Sequence, residues 1–539
     1  MTQTSILKDI TMRCCNELMV MKKNGDPLPE PEEAETKLVT ECANEINIIN
    51  AMKQKGEAKI KAPTKLEPAQ VASLMCIYFR IIRLKSPTGE TKHDLLLMYN
   101  EKEGIYTNDD DYFKKAASRF IYPLTKNDFK EIVFTLQGIT PRKTRNEDAN
   151  LIPVGNGIFN YETKTLLPFT PELIFLSKSN VNYNENAKLV KIHDPTDNTE
   201  WDIESWMNSL SDDPEIVNLL WEILGAIIRP NTRWNKSAWF YSETGNNGKG
   251  TLCELMRNLC GDAYCSIPIN NFNKDFMLEP LTRSSAIITD ENDVGTFIDK
   301  AANLKACITN DVLYINRKYE NPISYQFRGF MVQCLNEFPK TKDKSDSFYR
   351  RQLFVPFEKC FTGVEKRQIK DDYLHRPEVL EYVLKKVLNM NYDKLSEPKS
   401  CSLVLTEYKE YNDPLRAFWD EFRTDFVWDL LPFTFLYDLY KEWYKRYNPE
   451  GKPQGRIKFI NEILNITKND DIWYCKNKSV KIKTGNRMND PEPLIIEYDL
   501  TDWKNKNAAR SVRTKISEAL FDKKESYRGL LRKGSEENE

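Results

Sequence analysis

Residues 238–251 read Ala-Trp-Phe-Tyr-Ser-Glu-Thr-Gly-Asn-Asn-Gly-Lys-Gly-Thr. The apolar run at 238–241 stops at a glycine- and asparagine-rich loop ending in Gly248-Lys249, after which Leu252, Leu255, Met256 and Leu259 recur at helical spacing. The order is strand, loop, helix. Such a loop turns its backbone N–H groups inward around a triphosphate, its lysine reaches the outer phosphates, and the helix N-terminus adds the positive end of its dipole. Thr244, Gly245, Asn246, Asn247, Gly248, Lys249, Gly250 and Thr251 are therefore the candidate ATP-binding residues. Two positions depart from the usual G-x-x-x-x-G-K-[ST] pattern. The first glycine falls on Glu243, and the hydroxyl that would ligate Mg²⁺ falls on Gly250, so either Thr251 or water supplies it. Taken alone, the segment also reads as a turn that merely joins a strand to a helix.

The chain has 539 residues, which favours three or four domains, and its 40% hydrophobic content is enough for real cores. Lys and Arg number 78 against 80 Asp and Glu, so the whole chain advertises no polyanion partner and any nucleic-acid surface must be local. Twelve cysteines without a C-x-x-C pair, and only three histidines, argue against a structural zinc site or a disulfide framework and for reduced thiols. The N-terminus lacks a signal-peptide apolar region and nowhere do about 18 apolar residues run together, so the expectation is a soluble, cytoplasmic protein with no membrane partner.

Upstream of the loop, residues 1–60 read as short helical patterns interrupted by an acidic, proline-rich surface linker at 25–33. Residues 68–83 fit a buried helix face, and 93–106 fit two strands around a turn before a helix at 112–120. The triplet Asp109-Asp110-Asp111 reads as a helix start rather than a metal site, because acidic residues favour a first turn. The first 140 residues show neither a zinc-ligand cluster nor paired acidic motifs of the kind a primase needs. Residues 152–171 suggest a pair of short strands, followed by helices at 203–210 and 214–228.

Downstream come three segments in the order that nucleotide hydrolysis needs. An apolar strand at 286–289 ends in Asp290-Glu291, where Asp290 can hold Mg²⁺ directly or through water and Glu291 can take the proton of the attacking water. A second apolar run, 330–335, ends in Asn336, placed to reach the γ-phosphate or the water. Arg350 and Arg351 then precede the run 352–357, and an arginine that no local acid neutralises is suited to act as a finger in a neighbour's site. Each segment alone has an ordinary explanation as an acidic turn, a turn asparagine or a surface cation. Together they fall at strand ends, where ligands bind in open α/β sheets, and so are expected to converge on one crevice.

Gly245-Asn-Asn-Gly-Lys-Gly-Thr251, Ile288-Thr-Asp-Glu291, Leu335-Asn-Glu-Phe-Pro339 and Arg350-Arg351 with Val355-Pro-Phe357 resemble the superfamily 3 helicases of the AAA+ class. The closest likeness is to the helicase part of phage and plasmid primase-helicases and their poxvirus relatives. It covers roughly residues 90–450, although the family usually has glycines where Thr309-Asn310 stand. The resemblance implies a homo-oligomeric ring, usually a hexamer, with ATP and Mg²⁺ held between neighbours and a β-hairpin from each subunit gripping single-stranded DNA. It also implies Arg351 as the better finger candidate, with Arg350 second. Residues 312–327 alternate on both sides of a turn, as a hairpin should, and carry Arg317, Lys318 and Tyr319 at the tip. Cations there can meet backbone phosphate and an aromatic can stack on a base.

Beyond residue 359, helical patterns at 365–390 lead into a polar stretch and then an aromatic-rich segment at 414–447 that first suggests a core. Residues 440–487 hold 12 Lys or Arg and 5 acids, net +7, with a helix expected at 456–464 and mutually paired strands within 472–483. This strip resembles a winged-helix module and reads as an accessory DNA contact, against a merely solvated basic face; the terminus from Gly534 reads as a frayed tail.

The fold expected is α/β: an AAA+ phosphate-loop core with a mainly parallel sheet flanked by helices, an α+β N-terminal module and a winged-helix-like C-terminal domain. The divisions are 1–145, 146–235, 236–395 and 396–539. The function expected is an ATP-dependent DNA helicase for replication of a phage or mobile genetic element, acting on single-stranded and forked DNA in a bacterial cytoplasm beside a primase or other replication proteins. The rivals are an ATP-switched replication initiator without processive unwinding and a ring motor that moves something other than DNA.

Overall fold

The apolar run before the phosphate loop forms the middle of a parallel sheet. In the computed structural model, which describes residues 3–54, 57–194, 198–318, 321–447, 452–504 and 524–535, that sheet has five strands. They are β1 Ser237–Tyr241, β2 Tyr264–Cys265, β3 Ala286–Thr289, β4 Phe330–Leu335 and β5 Gln352–Pro356. Their order is β2-β3-β4-β1-β5, every neighbouring pair parallel, with Ala238 opposite Val332 and Leu353. Every residue of β1, β3, β4 and β5 is buried, which is why these strands read as continuous apolar runs rather than alternating ones. Helices Pro214–Ala226, Lys249–Cys260 and Pro377–Asn389 share a core with the sheet through Leu219, Leu252, Met256 and Val383, all sealed from solvent. Burying such a side chain contributes roughly 1.5–3 kcal/mol, so Leu252 and Met256 fix the helix after the loop firmly on the sheet.

The chain divides into two compact units, Met1–Leu405 and Thr406–Glu539. The first begins with two 22-residue helices, Gln3–Asn24 and Pro31–Met52. The expected linker at 25–33 is therefore shorter than its composition suggests. Pro31 starts the second helix, where a missing N–H costs nothing, and Glu32 and Glu33 occupy its first turn. The helix expected over 68–83 also ends early, at Tyr78, and Ile81–Leu84 pairs with Leu95–Asn100 and Arg142–Lys143. The β-branched pair Ile81-Ile82 fits that strand better than a helix terminus. The strand pair Leu95–Asn100 and Ile105–Thr107 stands as read, and Asp109 caps the helix Asp110–Ala117 by accepting from the Asp111 N–H. Residues 152–171 supply part of a three-stranded sheet, Leu151–Val154, Gly157–Asn160 and Thr165–Leu167, rather than a pair.

The second unit runs helix Pro414–Phe422, strand Leu430–Pro432, helices Phe433–Tyr447 and Arg456–Ile466, then strands Trp473–Tyr474 and Gly529–Arg532. The last strand lies between the other two. Phe418, Trp419, Trp428, Phe435, Trp443 and Trp473 are buried together, so the aromatic-rich segment is a core. The strands expected to pair with each other within 472–483 do not. Trp473 faces Arg532 and Ile482 faces Tyr527, partners far downstream that no local turn signal reveals. No helix among the described residues is long and apolar enough to cross a membrane.

Candidate active site

The phosphate loop leaves β1 and enters the helix Lys249–Cys260 through Gly248, whose φ of +87° belongs to the left-handed region. A Cβ there would also stand 2.7 Å from Leu210 Cδ2, the movable end of a side chain, so it is the backbone angle that calls for glycine. Thr244, Gly245 and Asn246 are exposed, whereas Asn247 is buried and accepts from the Lys249 N–H at 3.3 Å. The outer edge of the loop is held by residues 361–365: the Phe361 N–H donates to Asn246 O at 2.7 Å, and Asn246 Nδ2 donates to Glu365 Oε1 at 3.0 Å.

Lys249 is only 6% exposed. Its Nζ donates to Asn336 Oδ1 at 2.8 Å, Leu335 O at 3.2 Å and Ser242 O at 3.4 Å, all neutral oxygens. Burial pushes its amine below the ordinary lysine value, and among the described residues no carboxylate lies within ion-pair distance of it. A buried ammonium without a counter-charge is costly, and an anion delivered to the loop would match it. The sequence expectation that Lys249 and Asn336 meet is met: β1 and β4 are neighbours and both end at this edge.

Asp290 follows β3 at the same edge. Its Oδ2 lies 3.3 Å from Arg257 Nη2, while Arg257 Nη1 lies 3.1 Å from Glu254 Oε2. Its Oδ1 would be 3.3 Å from a Cβ built on Gly250. Thus the residue standing where the usual hydroxyl would be faces Asp290, and Thr251 is turned about 100° further round the helix. Glu291 is exposed. Asn292 stitches the turn: its Nδ2 donates to Gln333 Oε1 and Cys334 O, both at 3.0 Å, and its Oδ1 accepts from the Ile269 N–H at 2.8 Å. Arg257 and Asn292 carry no motif of their own, which is why sequence reasoning missed them.

Arg350 and Arg351 do not join this crevice, contrary to the expectation that all these segments converge. They precede β5, which runs parallel to β1, so they sit at the amino edge, where the Ser237 N–H donates to Arg351 O at 2.8 Å. Five strand residues, about 16 Å, separate that edge from the loop. Arg351 Nη1 donates to Ser347 O, and among the described residues neither arginine has a carboxylate partner.

The expected hairpin forms from Val312–Ile315 and Ile323–Gln326, antiparallel with Leu313 opposite Tyr325. Leu313, Ile315, Ile323 and Tyr325 point inward and are buried, whereas Val312, Tyr314 and Lys318 are exposed and Arg317 is half-buried. Tyr319 lies outside the described residues. The hairpin's base is tied to the N-terminal part of its unit: Ser324 Oγ and Thr88 Oγ1 share a hydrogen bond of 2.9 Å, and Arg145 Nη1 donates to Tyr325 Oη at 3.2 Å. Asn310 ends the preceding helix at φ +55° and donates to Phe327 O at 2.8 Å, so asparagine serves in the left-handed position.

Three family models match the chain. Residues 240–351, spanning loop, carboxylates and arginines, match a family of unknown function (DUF5906). Residues 31–212 match a "D5 N terminal like" family and residues 410–505 a "Poxvirus D5 protein-like" family, one on each side of the loop. The two D5-type matches, one before and one after the loop, support a D5-like primase-helicase family. A curated relative of this D5-like chain is "Putative helicase L207/L206" of Acanthamoeba polyphaga mimivirus, 23% identical over 376 residues. That match covers 62% of this chain, which spans only 38% of the relative's length. Among solved structures, the apo C-terminal region of NrS-1 (305-718) aligns at 14% identity and a TM-score of 0.41, covering 78% of the D5-like chain and 97% of that one. Its A form aligns at 14% identity and a TM-score of 0.41 over 87% and 100%.

Proposed function

We propose that this protein is an ATP-dependent DNA helicase of the superfamily 3, AAA+ kind, a ring-forming motor that serves DNA replication. The observation that carries the reading is the Lys249 ammonium, buried at a helix N-terminus and held by Asn336 and two carbonyls, with no carboxylate at ion-pair distance among the described residues. The sheet order, with β4 between the phosphate-loop strand and the Asp290 strand, supports the AAA+ assignment. The unneutralised arginines at the opposite edge support a site completed by a second copy.

Bound Mg·ATP supplies the phosphoanhydride and a divalent charge at the outer phosphates. Toward it, the exposed backbone of Thr244, Gly245 and Asn246 and the N–H groups of Gly248, Lys249, Gly250 and Thr251 form the cradle, and Lys249 exchanges Asn336 for phosphate oxygen. Asp290 would hold the ion, and because the residue facing Asp290 is Gly250, water rather than Thr251 would stand in the place of the missing hydroxyl. Glu291 accepts the proton of the attacking water. Asn336, released by Lys249, has an amide free to orient that water, so it reports whether the phosphates are in place. Arg351, with Arg350 beside it, stabilises transition-state charge in the adjoining protomer.

Arg317 and Lys318 at the hairpin tip meet backbone phosphate, and Tyr319 is the proposed base-stacking partner. In the second unit, the order helix, strand, helix, helix, strand, strand supports a winged helix, and its net +7 strip supports a further contact to forked DNA. The decisive assay is forked-duplex unwinding with ATP, set beside DNA-stimulated ATPase. Strand separation supports the motor. The ATP-switched initiator, favoured by the hairpin's ties to Thr88 and Arg145, predicts slow hydrolysis and no separated strands.

A further inference from the structure

Two thiols from different elements meet beside the Lys249 site. Cys253, on the helix after the phosphate loop, and Cys334, on β4, bring their Sγ atoms within 3.4 Å, and their residues are 0% and 2% exposed. A carboxylate oxygen of Asp290 completes the group, the three donor atoms lying within 4.8 Å of one another. Among the described residues this is the one cluster of three such donors tight enough to share an ion.

Distances separate the uses of such a pair. A disulfide needs sulfurs about 2.05 Å apart, so helix and strand would have to close by about 1.3 Å. Two thiolates on a tetrahedral zinc, with Zn–S about 2.3 Å, stand about 3.8 Å apart, an opening of about 0.4 Å. The arrangement is already close to the second. The carboxylate is the third donor, and its side chain, 30% exposed, gives an entry path and leaves the fourth position to water. With both thiols ionised, the two thiolates, Asp290 and Glu254 set four negative charges against the two cations Lys249 and Arg257, a net −2 that a dication offsets. Mg²⁺ prefers oxygen donors, whereas thiolates select zinc-like ions.

We propose that Cys253, Cys334 and Asp290 form a binding site for a thiolate-seeking divalent cation of the zinc class, and that filling it switches the motor off. Binding forms two metal–sulfur bonds and one metal–oxygen bond and releases the two thiol protons to solvent, with no change of oxidation state. It ties the phosphate-loop helix to β4 and withdraws Asp290 from Mg²⁺. The inhibitory half rests on the proposed ATPase; the binding half does not.

The test is titration of the full, reduced chain with Co²⁺, whose tetrahedral thiolate complexes give sulfur-to-metal charge-transfer absorption. One equivalent should produce the band, Zn²⁺ should displace it, Cys253→Ser and Cys334→Ser should each abolish it, and Asp290→Asn should weaken binding about 10–100-fold. A wild-type chain without the band, or a band surviving in both folded serine variants, overturns the site. Should the serine variants not fold, X-ray absorption of the wild type loaded with one zinc decides: two sulfur neighbours support the site and none overturns it. One equivalent of Zn²⁺ under excess Mg·ATP should then lower turnover at least about 10-fold, reversibly with a chelator. Bound metal with unchanged turnover overturns the switch, whereas a chain that binds metal but never hydrolyses ATP contradicts the proposed function and leaves the site standing.

Discussion

Lys249→Met separates a ligand-binding lysine from a structural one. The substitution keeps an unbranched side chain one atom shorter and removes a buried charge that donates to three acceptors. Leu335 O keeps its bond from the Ser242 N–H at 3.2 Å, and exposed Asn336 can turn to water. Only Ser242 O is orphaned, at about 1–3 kcal/mol. Against that, removing an ammonium that burial already disfavours recovers part of a desolvation penalty of several kcal/mol, less about 1.5–3 kcal/mol for its charged hydrogen bonds. These nearly cancel, so the unliganded variant should differ in stability by no more than about 1–2 kcal/mol, a Tm shift of a few degrees. The response to nucleotide should not survive. At an ATP concentration about 100 times Kd the parent gains about 2.7 kcal/mol, and the variant should gain nothing. Turnover should fall about 10²–10³-fold or more, as when one charge-stabilising donor is lost. Thermal scans with and without Mg·ATP, read beside phosphate release, report both quantities. A variant that keeps the ATP-dependent shift, or turns over like the parent, rules out Lys249 as the residue that binds the phosphates. One that unfolds without ligand makes Lys249 structural.

Arg351→Ala should lower ATP turnover about 10³-fold while leaving the ATP-dependent thermal shift in place, because the side chain sits at the opposite edge from its own loop. Lys318→Ala should weaken single-stranded DNA binding equally across sequences and reduce the salt slope of the affinity by about 1, read by fluorescence anisotropy; an unchanged slope removes Lys318 from the phosphate contacts. In the second unit, Glu492 is fully buried and burial lifts its carboxyl above the ordinary value, against the opposing N–H groups of Val427 and Trp428. A carboxyl raised on folding stabilises below its unfolded pKa, and that contribution is lost as pH rises through the folded one. Glu492→Gln should therefore be more stable than the parent at pH 7, with the gap closing below about pH 4.5, measured by tryptophan fluorescence in denaturant.

How much of this was legible in the residues depends on the range of the interactions. The strand–loop–helix at 237–260, the strands within 286–291 and 330–336 and the hairpin are local patterns whose apolar runs and turns carry their own signal, and each forms where expected. The convergence of Lys249 on Asn336 needed only that two strand ends be neighbours. The arginines were misplaced because Arg350 and Arg351 lie before their strand rather than after it, and a run of residues does not announce its direction in a sheet. Arg257 on Asp290, Asn292 across to β4, and Cys253 against Cys334 are pairings over 33 to 81 residues, set only when the sheet assembles. The C-terminal strand Gly529–Arg532 was missed for the same reason, since its partners lie far upstream. The early end of the helix at Tyr78 was a local conflict, in which the β-branched Ile81-Ile82 outweighed the apolar spacing.

Hydrolysis in a site shared by two copies can be read by mixing two inactive variants. Lys249→Ala should lack the loop lysine and Arg351→Ala the finger, so each alone should be inactive. In equimolar mixed assemblies about a quarter of the interfaces pair an intact loop with an intact finger, so ATPase should return to about a quarter of the parent rate per site. A mixture as inactive as its components, at concentrations where the parent assembles, would contradict the shared site.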